Sequence, residues 1–307
     1  MKPLETVPPE ANSPASSVPD SIPRDIVRPN LDPNAPSGVR KFYKYIKIFR
    51  VTLVERMTYR GDFLLGTFLR FVPMATTVLL WKSIYDSSGR KSLGGFTYRQ
   101  MIAYLLLTHI SRMFSSMPGL AGGIARDIRD GTLKKYLLQP LDMIGYLISY
   151  RAAHKAAYIT TSAFPYAIIF WICRSFFDVP SWTTIPAYAV SLALAFVVGF
   201  AFEACVGMIG FWFLEVTSLL YIVMTLNFFI SGHMLPLDLL PRFWANLLES
   251  LPFQYMAYFP AIVFQEKIQG AALVRGLALE AFWACFFVVL ARVLYARGLR
   301  RYGAYGG

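Results

Sequence analysis

Long apolar runs separated by short polar breaks begin only after residue 60. Phe63–Ile84, Met101–Ala121, Ala156–Cys173, Ile185–Gly210, Phe213–Ile230 and Ala271–Tyr295 each approach the length at which an α-helix crosses a bilayer, about 20 residues. A water-soluble core of this size has no use for so many long segments. The pattern predicts an all-α polytopic membrane protein with six transmembrane helices over 61–300. The stretch Ile185–Ile230 is nearly continuous apolar sequence, too long for one crossing at about 1.5 Å per residue. Its break is expected near Gly210–Glu215, as a tight hairpin on the cytoplasmic side.

Ahead of the ladder, residues 38–60 read as an amphipathic interface helix. Phe42, Tyr45, Ile46, Phe49 and Leu53 recur at steps of three and four, while Lys41, Lys44, Lys47 and Arg50 mostly take the other face. Residues 1–37 carry Pro3, Pro8, Pro9, Pro14, Pro19, Pro23, Pro29, Pro33 and Pro36 among polar residues, without an apolar signal segment. They are expected to form a disordered cytoplasmic tail, and 301–307 a short one.

Two connecting segments are unusual. The one after the second run, Gly123–Asp142, is polar and compact. Gly131 is expected to break it, Thr132 to cap a short second helix with Leu133, Tyr136 and Leu137 on one side, and Pro140 to end it. Its Arg126, Asp127, Arg129, Asp130 and Lys134 alternate in charge beside an apolar face, which suits a docking surface better than a solvated connector. The segment between the fifth and sixth runs is too apolar for a free loop. Pro236, Pro241, Pro252 and Pro260 are expected to cut it into re-entrant or interfacial helical pieces, with Trp244, Tyr255 and Tyr258 at headgroup level. It either lines a translocation exit or anchors the chain at the interface.

Composition sharpens this picture. Charged residues are only 16% of the chain against 56% hydrophobic, and the net charge of +12 sits mainly beside the apolar runs. That placement reflects lipid headgroups and the positive-inside bias, so no nucleic acid is expected as a partner. Lys and Arg are densest ahead of the first run, between the second and third, and after the sixth. Both termini are therefore placed in the cytoplasm of a multi-pass protein.

Candidate chemistry is sparse. Arg70 and Glu203 are ionisable groups well inside apolar runs, where they are costly. Glu203 lies on a small-residue stripe with Ser191, Ala195, Gly199 and Gly207, so it is expected to face protein. It either pairs structurally with Arg70 or Arg112, or contacts a cationic substrate or a proton. Glu215 is placed at the hairpin turn and Glu280 in the outer half of the last span, both structural. His109, His154 and His233 are scattered without ligand spacing, and Cys173, Cys205 and Cys285 read as small apolar residues, so no metal site is expected. No nucleophilic triad or paired-carboxylate arrangement appears, and the chain is not read as an enzyme.

The run Ile-Arg-Asp-Gly-Thr-Leu-Lys-Lys-Tyr-Leu-Leu-Gln-Pro-Leu-Asp at 128–142 resembles the cytoplasmic loop of ABC-2 type permeases. The segment Ser231–Ala261 resembles the same family's stretch between its fifth and sixth spans, and its Leu-Pro-Phe-Gln-Tyr-Met-Ala-Tyr-Phe-Pro run is most similar to viologen-exporter-like bacterial permeases. The resemblance implies a type V exporter-like fold and the permease subunit of an ATP-driven exporter in a bacterial plasma (inner) membrane. Arg126–Pro140 would be the ATPase-coupling loop and Val39–Tyr59 the interface helix. Partners implied are an ABC ATPase subunit, a second permease subunit (a heterodimer rather than a homodimer) and the lipid bilayer. Consistently, no Gly-x-x-x-x-Gly-Lys-[Ser/Thr] phosphate loop occurs in the chain. No cofactor is expected here, ATP and Mg being held by the partner ATPase. The alternatives are an ion- or proton-coupled secondary transporter using Arg70, Glu203 and Glu280, and a membrane-embedded enzyme or scaffold. Lipids, peptides and drugs all stand as cargo classes.

Overall fold

The computed structural model describes residues 37–302 except 59, 139, 140 and 214, with side chains at 37, 39–41, 60–64, 67, 68 and 70 left outside the description. The expected tail before Ser37, most of the 301–307 tail, Tyr59, the Lys41 and Arg70 side chains, and Pro140 therefore lie outside it. Helix dominates, as the all-α reading expects. In chain order the helices are α1 (Ser37–Thr58), α2 (Arg60–Ser88), α3 (Tyr98–Ser115), α4 (Leu120–Arg129), α5 (Lys134–Leu137), α6 (Met143–Ile172), α7 (Thr184–Met208), α8 (Thr217–Ile230), α9 (Arg242–Ser250), α10 (Tyr258–Phe264) and α11 (Gly270–Arg301). A two-residue antiparallel ladder, β1 (Ser92–Leu93) with β2 (Phe96–Thr97), links α2 to α3.

Local chemistry sets several of these boundaries. Thr97 and Gln100 form a reciprocal capping box that starts α3. The Asp142 carboxylate accepts from the Gly145 amide at 2.6 Å and starts α6. The second apolar run does not continue to Ala121 as expected. Helix α3 stops at Ser115, and α4 begins at Leu120. Pro118 disfavours helical geometry at Met117, and Gly119 sits at φ +74, a conformation that L side chains resist. The third helix starts thirteen residues earlier than the apolar run, because Asp142 caps it at Met143. The long 185–230 stretch does break where its length required, through a 3-10 turn at Ile209–Phe211.

Helix α7 is the axis of the molecule. Its broadest contact is with α11, and α3, α4 and α10 also pack on it. Its stripe of small residues lets backbone approach backbone. A Cβ on Gly199 would strike the Ser115 carbonyl, and one on Gly207 would lie 2.6 Å from the Ala121 carbonyl oxygen. The two contacts straddle the α3–α4 break. Hydrophobic packing divides into two ends. One gathers Met117, Ile124, Leu133, Met143, Phe211 and Phe287, and the other Trp81, Phe96, Tyr104, Tyr255 and Phe259.

The second end is closed by polar clasps. Glu266 accepts from the Ser181 amide and the Thr184 hydroxyl, both at 2.7 Å. Lys267 donates to the Gly95 carbonyl at 3.1 Å and stands 2.9 Å over the Phe96 ring. Two expectations fail here. Pro260 does not cut the segment, because it lies in the first turn of α10, where a missing amide hydrogen costs nothing. Tyr255 and Tyr258 are 1% and 4% exposed, so they are core residues. The Tyr258 hydroxyl donates to Asp238 at 2.9 Å and needs no water.

Among the described residues, Thr184–Phe211 and Gly270–Arg301 are long and apolar enough to cross a membrane, and Thr217–Ile230 is a shorter apolar helix.

Adding one methyl at the tight contacts should destabilise the fold by about 1–3 kcal/mol. Gly199→Ala and Gly207→Ala should lower the unfolding temperature in detergent, while Gly123→Ala, with nothing within 4 Å of its added carbon, should not. Equal stability of all three variants would show that the backbones do not approach as described.

Candidate functional site

The polar elbow after α3 is built from α4 and α5. Helix α4 turns Leu120, Ala121, Ile124, Ala125 and Ile128 inward, while Arg126 and Arg129 stay exposed. Its end is set by Gly131 at φ +70. Asp127 then ties the bend into a knot. Its carboxylate accepts from the Thr132 hydroxyl at 2.8 Å and the Lys135 ammonium at 2.8 Å, with the Tyr136 hydroxyl at 3.4 Å. The Leu133 amide donates to the Asp127 carbonyl at 3.0 Å. Burial, and then the Asp127 charge, hold the Tyr136 phenol above its ordinary range.

This arrangement corrects the expected capping. Thr132 does not cap the second helix, whose cap position is Leu133 with no side-chain bond. A hydroxyl gains more from a carboxylate acceptor than from a neutral amide. Nor do Leu133, Tyr136 and Leu137 share one face. Leu133 is fully buried and Tyr136 half-buried, but Leu137 and Leu138 are exposed. The elbow thus leaves Arg126, Arg129, Asp130, Lys134, Leu137 and Leu138 exposed.

The elbow is tethered on two sides. Arg129 bonds Asp130 at 3.0 Å and Glu215 at 3.3 Å, and Glu215 accepts from the Thr217 amide at 2.8 Å, capping α8. At its root, the four residues 116–119 form a joint. The Glu203 carboxylate accepts from the Met117 amide at 3.0 Å. From α6, Lys155 donates to the Met113 carbonyl at 2.5 Å and Arg151 to the Pro118 carbonyl at 2.9 Å. Ser115 bonds the Met256 carbonyl at 2.7 Å. Glu203 is buried as expected of the small-residue stripe. It accepts from the backbone, with Arg112, Arg151 and Lys155 supplying positive charge around it. The expected partner Arg70 has its side chain outside the described residues.

The other anticipated residues are placed elsewhere. Lys44 and Arg50 are exposed and Lys47 half-buried on α1, which packs along α6. Tyr45 seats against Gly145 and accepts from the Asp142 amide at 3.3 Å, whereas Phe42 lies exposed, off the expected apolar face. Pro236 precedes a 3-10 turn, Pro241 precedes α9, and Pro252 opens another 3-10 turn. Trp244 is exposed on α9 beside Phe243. Glu280 is fully buried on α11. His109 and His233 are not scattered. Their ring centroids lie 4.8 Å apart with the planes tilted, although no group of three or more potential metal ligands occurs among the described residues. Ser115, Arg151 and Lys155 were not singled out in advance as parts of one joint, and the break itself was missed, although the Pro118-Gly119 pair is the kind of signal that could have found it.

The chain matches the sequence model described as ABC-2 family transporter protein over residues 71–306, more than half its length, and it belongs to that family. Family membership makes it a membrane protein, and permeases of the family normally work with an ABC ATPase subunit. A comparison with curated proteins returned no match.

The Glu215 tether should weaken in acid. Bonds to Thr217, and then Arg129, hold its carboxyl below the ordinary 4.5. The unfolded state therefore binds more protons between the two values. The tether is fully present above pH 4.5 and is lost as pH falls through the lowered value. Hydrogen exchange at the start of α8, corrected for intrinsic rate, should show falling protection in that window, and Glu215→Gln should abolish the pH dependence. Protection unchanged between wild type and variant would remove the tether.

Proposed function

We propose that this chain is the permease subunit of an ATP-driven exporter, crossing the membrane six times through α2, α3, α6, α7, α8 and α11. A separate ATPase docks on the elbow, on Arg126, Arg129, Lys134, Leu137 and Leu138. The observation that carries this reading is the joint at 116–119. There, the exposed elbow is keyed into the axial helix by Glu203 and by the close backbone contact at Gly207. A push on α4 is passed to α7 because a close-packed interface has no slack to absorb it. The spans then tilt as units and switch access to a path at the permease dimer interface.

Orientation follows charge. Arg126, Arg129, Lys134, Lys135, Arg151, Arg292, Arg300 and Arg301 collect toward the elbow end, and the positive-inside bias supports a cytoplasmic side for that end and both termini. The segment from Pro236 to Pro252, with Trp244, then lies at the outer face, on the exit side. A second permease subunit completes the path, and the viologen-exporter likeness favours a different chain over a second copy. Helix α8 suits that contact, since only Leu220 and Asn227 of it are buried within this chain. The membrane is taken to be a bacterial plasma membrane, and the absence of a phosphate loop from the sequence leaves ATP hydrolysis to the partner.

Reversing the charge at Arg126 together with Leu138→Asp should abolish transport and co-purification of the ATPase while leaving the permease folded. Replacing Glu203 by Gln should keep the ATPase bound but uncouple it, lowering transport per ATP by roughly tenfold or more, since losing a charged acceptor from a buried amide costs about 1.5–3 kcal/mol. Transport that persists in liposomes without any ATPase would sink the proposal.

A further inference from the structure

A groove of about 550 Å³ runs between α1 and the start of α6. Ile48, Val51 and Leu141 give it an apolar lining, and Val51 is 46% exposed. Tyr146 and Tyr150, one turn apart on α6, form its aromatic wall. Their rings stack with centroids 6.2 Å apart and planes 15° from parallel. Lys44 stands exposed at the end of the groove nearer Ser37, and Glu55 at the other. Aromatic-walled grooves of this kind hold proline-rich segments, whose polyproline II form is already extended and loses little entropy on docking. The apolar lining also calls for a short aliphatic side chain, and the Lys44 end for a carboxylate.

The chain carries such a segment ahead of α1. Residues 3–23 contain Pro3, Pro8, Pro9, Pro14, Pro19 and Pro23, with Glu5, Glu10 and Asp20 and no Lys or Arg. Within them, Thr6-Val-Pro-Pro-Glu10 joins an aliphatic side chain, a proline pair and a carboxylate. Lys44 to Glu55 covers about 16 Å of helix, room for about five residues of polyproline II at about 3.1 Å each. Reach is sufficient. Residues 11–36 span about 25–30 Å as a coil, and the groove lies about 10–27 Å from Ser37 along α1. We propose that Thr6–Glu10 docks in the groove of its own chain, with Pro8 and Pro9 against Tyr146 and Tyr150, Val7 over Ile48 and Val51, and the Glu10 carboxylate at Lys44. The segment then runs back along α1 and staples it to α6. It covers Tyr146, whose ring meets that of Tyr136 in the elbow at 5.5 Å. The docking does not rest on the exporter reading, because segment and groove adjoin the same helix whichever way the chain sits in a membrane.

Zero-length coupling tests this on the full chain, in mild detergent and again in vesicles of phosphatidylglycerol and phosphatidylcholine. A water-soluble carbodiimide activates a carboxylate, an amine in contact attacks the carbonyl carbon, and a urea leaves, so an amide records the contact. Peptide mass spectrometry maps the links, and mixing isotope-labelled with unlabelled chains separates links within one chain from links between copies. Glu10 should couple to Lys44 of the same chain in preference to Asp25 and Asp32, although the tether holds those two nearer. Pro8→Ala with Pro9→Ala should lower the yield roughly fivefold, the loss of a stacked aromatic contact, and Val51→Trp, which fills the groove without changing charge, should lower it as far. Lys44→Glu and Glu10→Lys should each remove the link, and the two together should restore it. The variants ahead of Ser37 decide the matter where Val51→Trp does not fold. Preferential coupling of Asp32, links to a second copy, an unchanged yield in the proline variant, or a link lost in vesicles because lipid takes the groove would each overturn the proposal.

Discussion

The packing of this molecule depends on the contact between the small-residue stripe of α7 and the broken backbone at 116–119. Gly199 and Gly207 allow α7 to touch main chain on either side of that break, and Glu203 between them takes up the Met117 amide. A helix break in an apolar setting leaves backbone polar groups without partners, and each orphan costs free energy comparable to a lost hydrogen bond. Here the groups are matched. The Met113 and Pro118 carbonyls receive Lys155 and Arg151, and the Met117 amide receives a carboxylate. The charges in this region are therefore the means by which the chain changes direction, from α3 into α4, without exposing its main chain.

Beyond the joint, the elbow is stiffened by short-range bonds rather than by helix length. Helix α5 is a single turn and would not persist alone. It is held because Asp127 collects Thr132, Lys135 and Tyr136, and because Leu133 is buried in the core. A force applied to Lys134 or Leu138 therefore reaches α4 through a carboxylate-centred network instead of bending a loose connector. Arg129 and Glu215 extend that network to the first turn of α8.

Much of this was legible in the sequence because it follows from periodicity and from breakers. The apolar ladder, the break in 185–230, the Gly131 bend and the burial of Glu203 all reflect constraints that act locally or on one helix face. The misreadings share a different cause. Thr132 looked like a cap, and Tyr255 and Tyr258 looked like headgroup anchors, because each was judged by residue type. Their roles depend on partners that only the fold brings near: Asp127 for Thr132, Asp238 for Tyr258 and the Phe259 ring for Tyr255. The joint was partly hidden for the same reason. The apolar run was read straight through Pro118-Gly119, and nothing local said that Arg151 and Lys155, thirty or more residues on, would supply donors there. His109 and His233 likewise meet only through the fold.

The clasp made by Glu266 on Ser181 and Thr184 has a mechanical corollary. It fastens the start of α7 to the turn that leads into α11, at the end of the molecule farthest from the elbow. The pair α7–α11, already joined along its length, is thereby pinned at that end as well, and shear between the two helices is blocked. The two helices are thus fastened at their ends as well as along their faces, and they bear load as one beam.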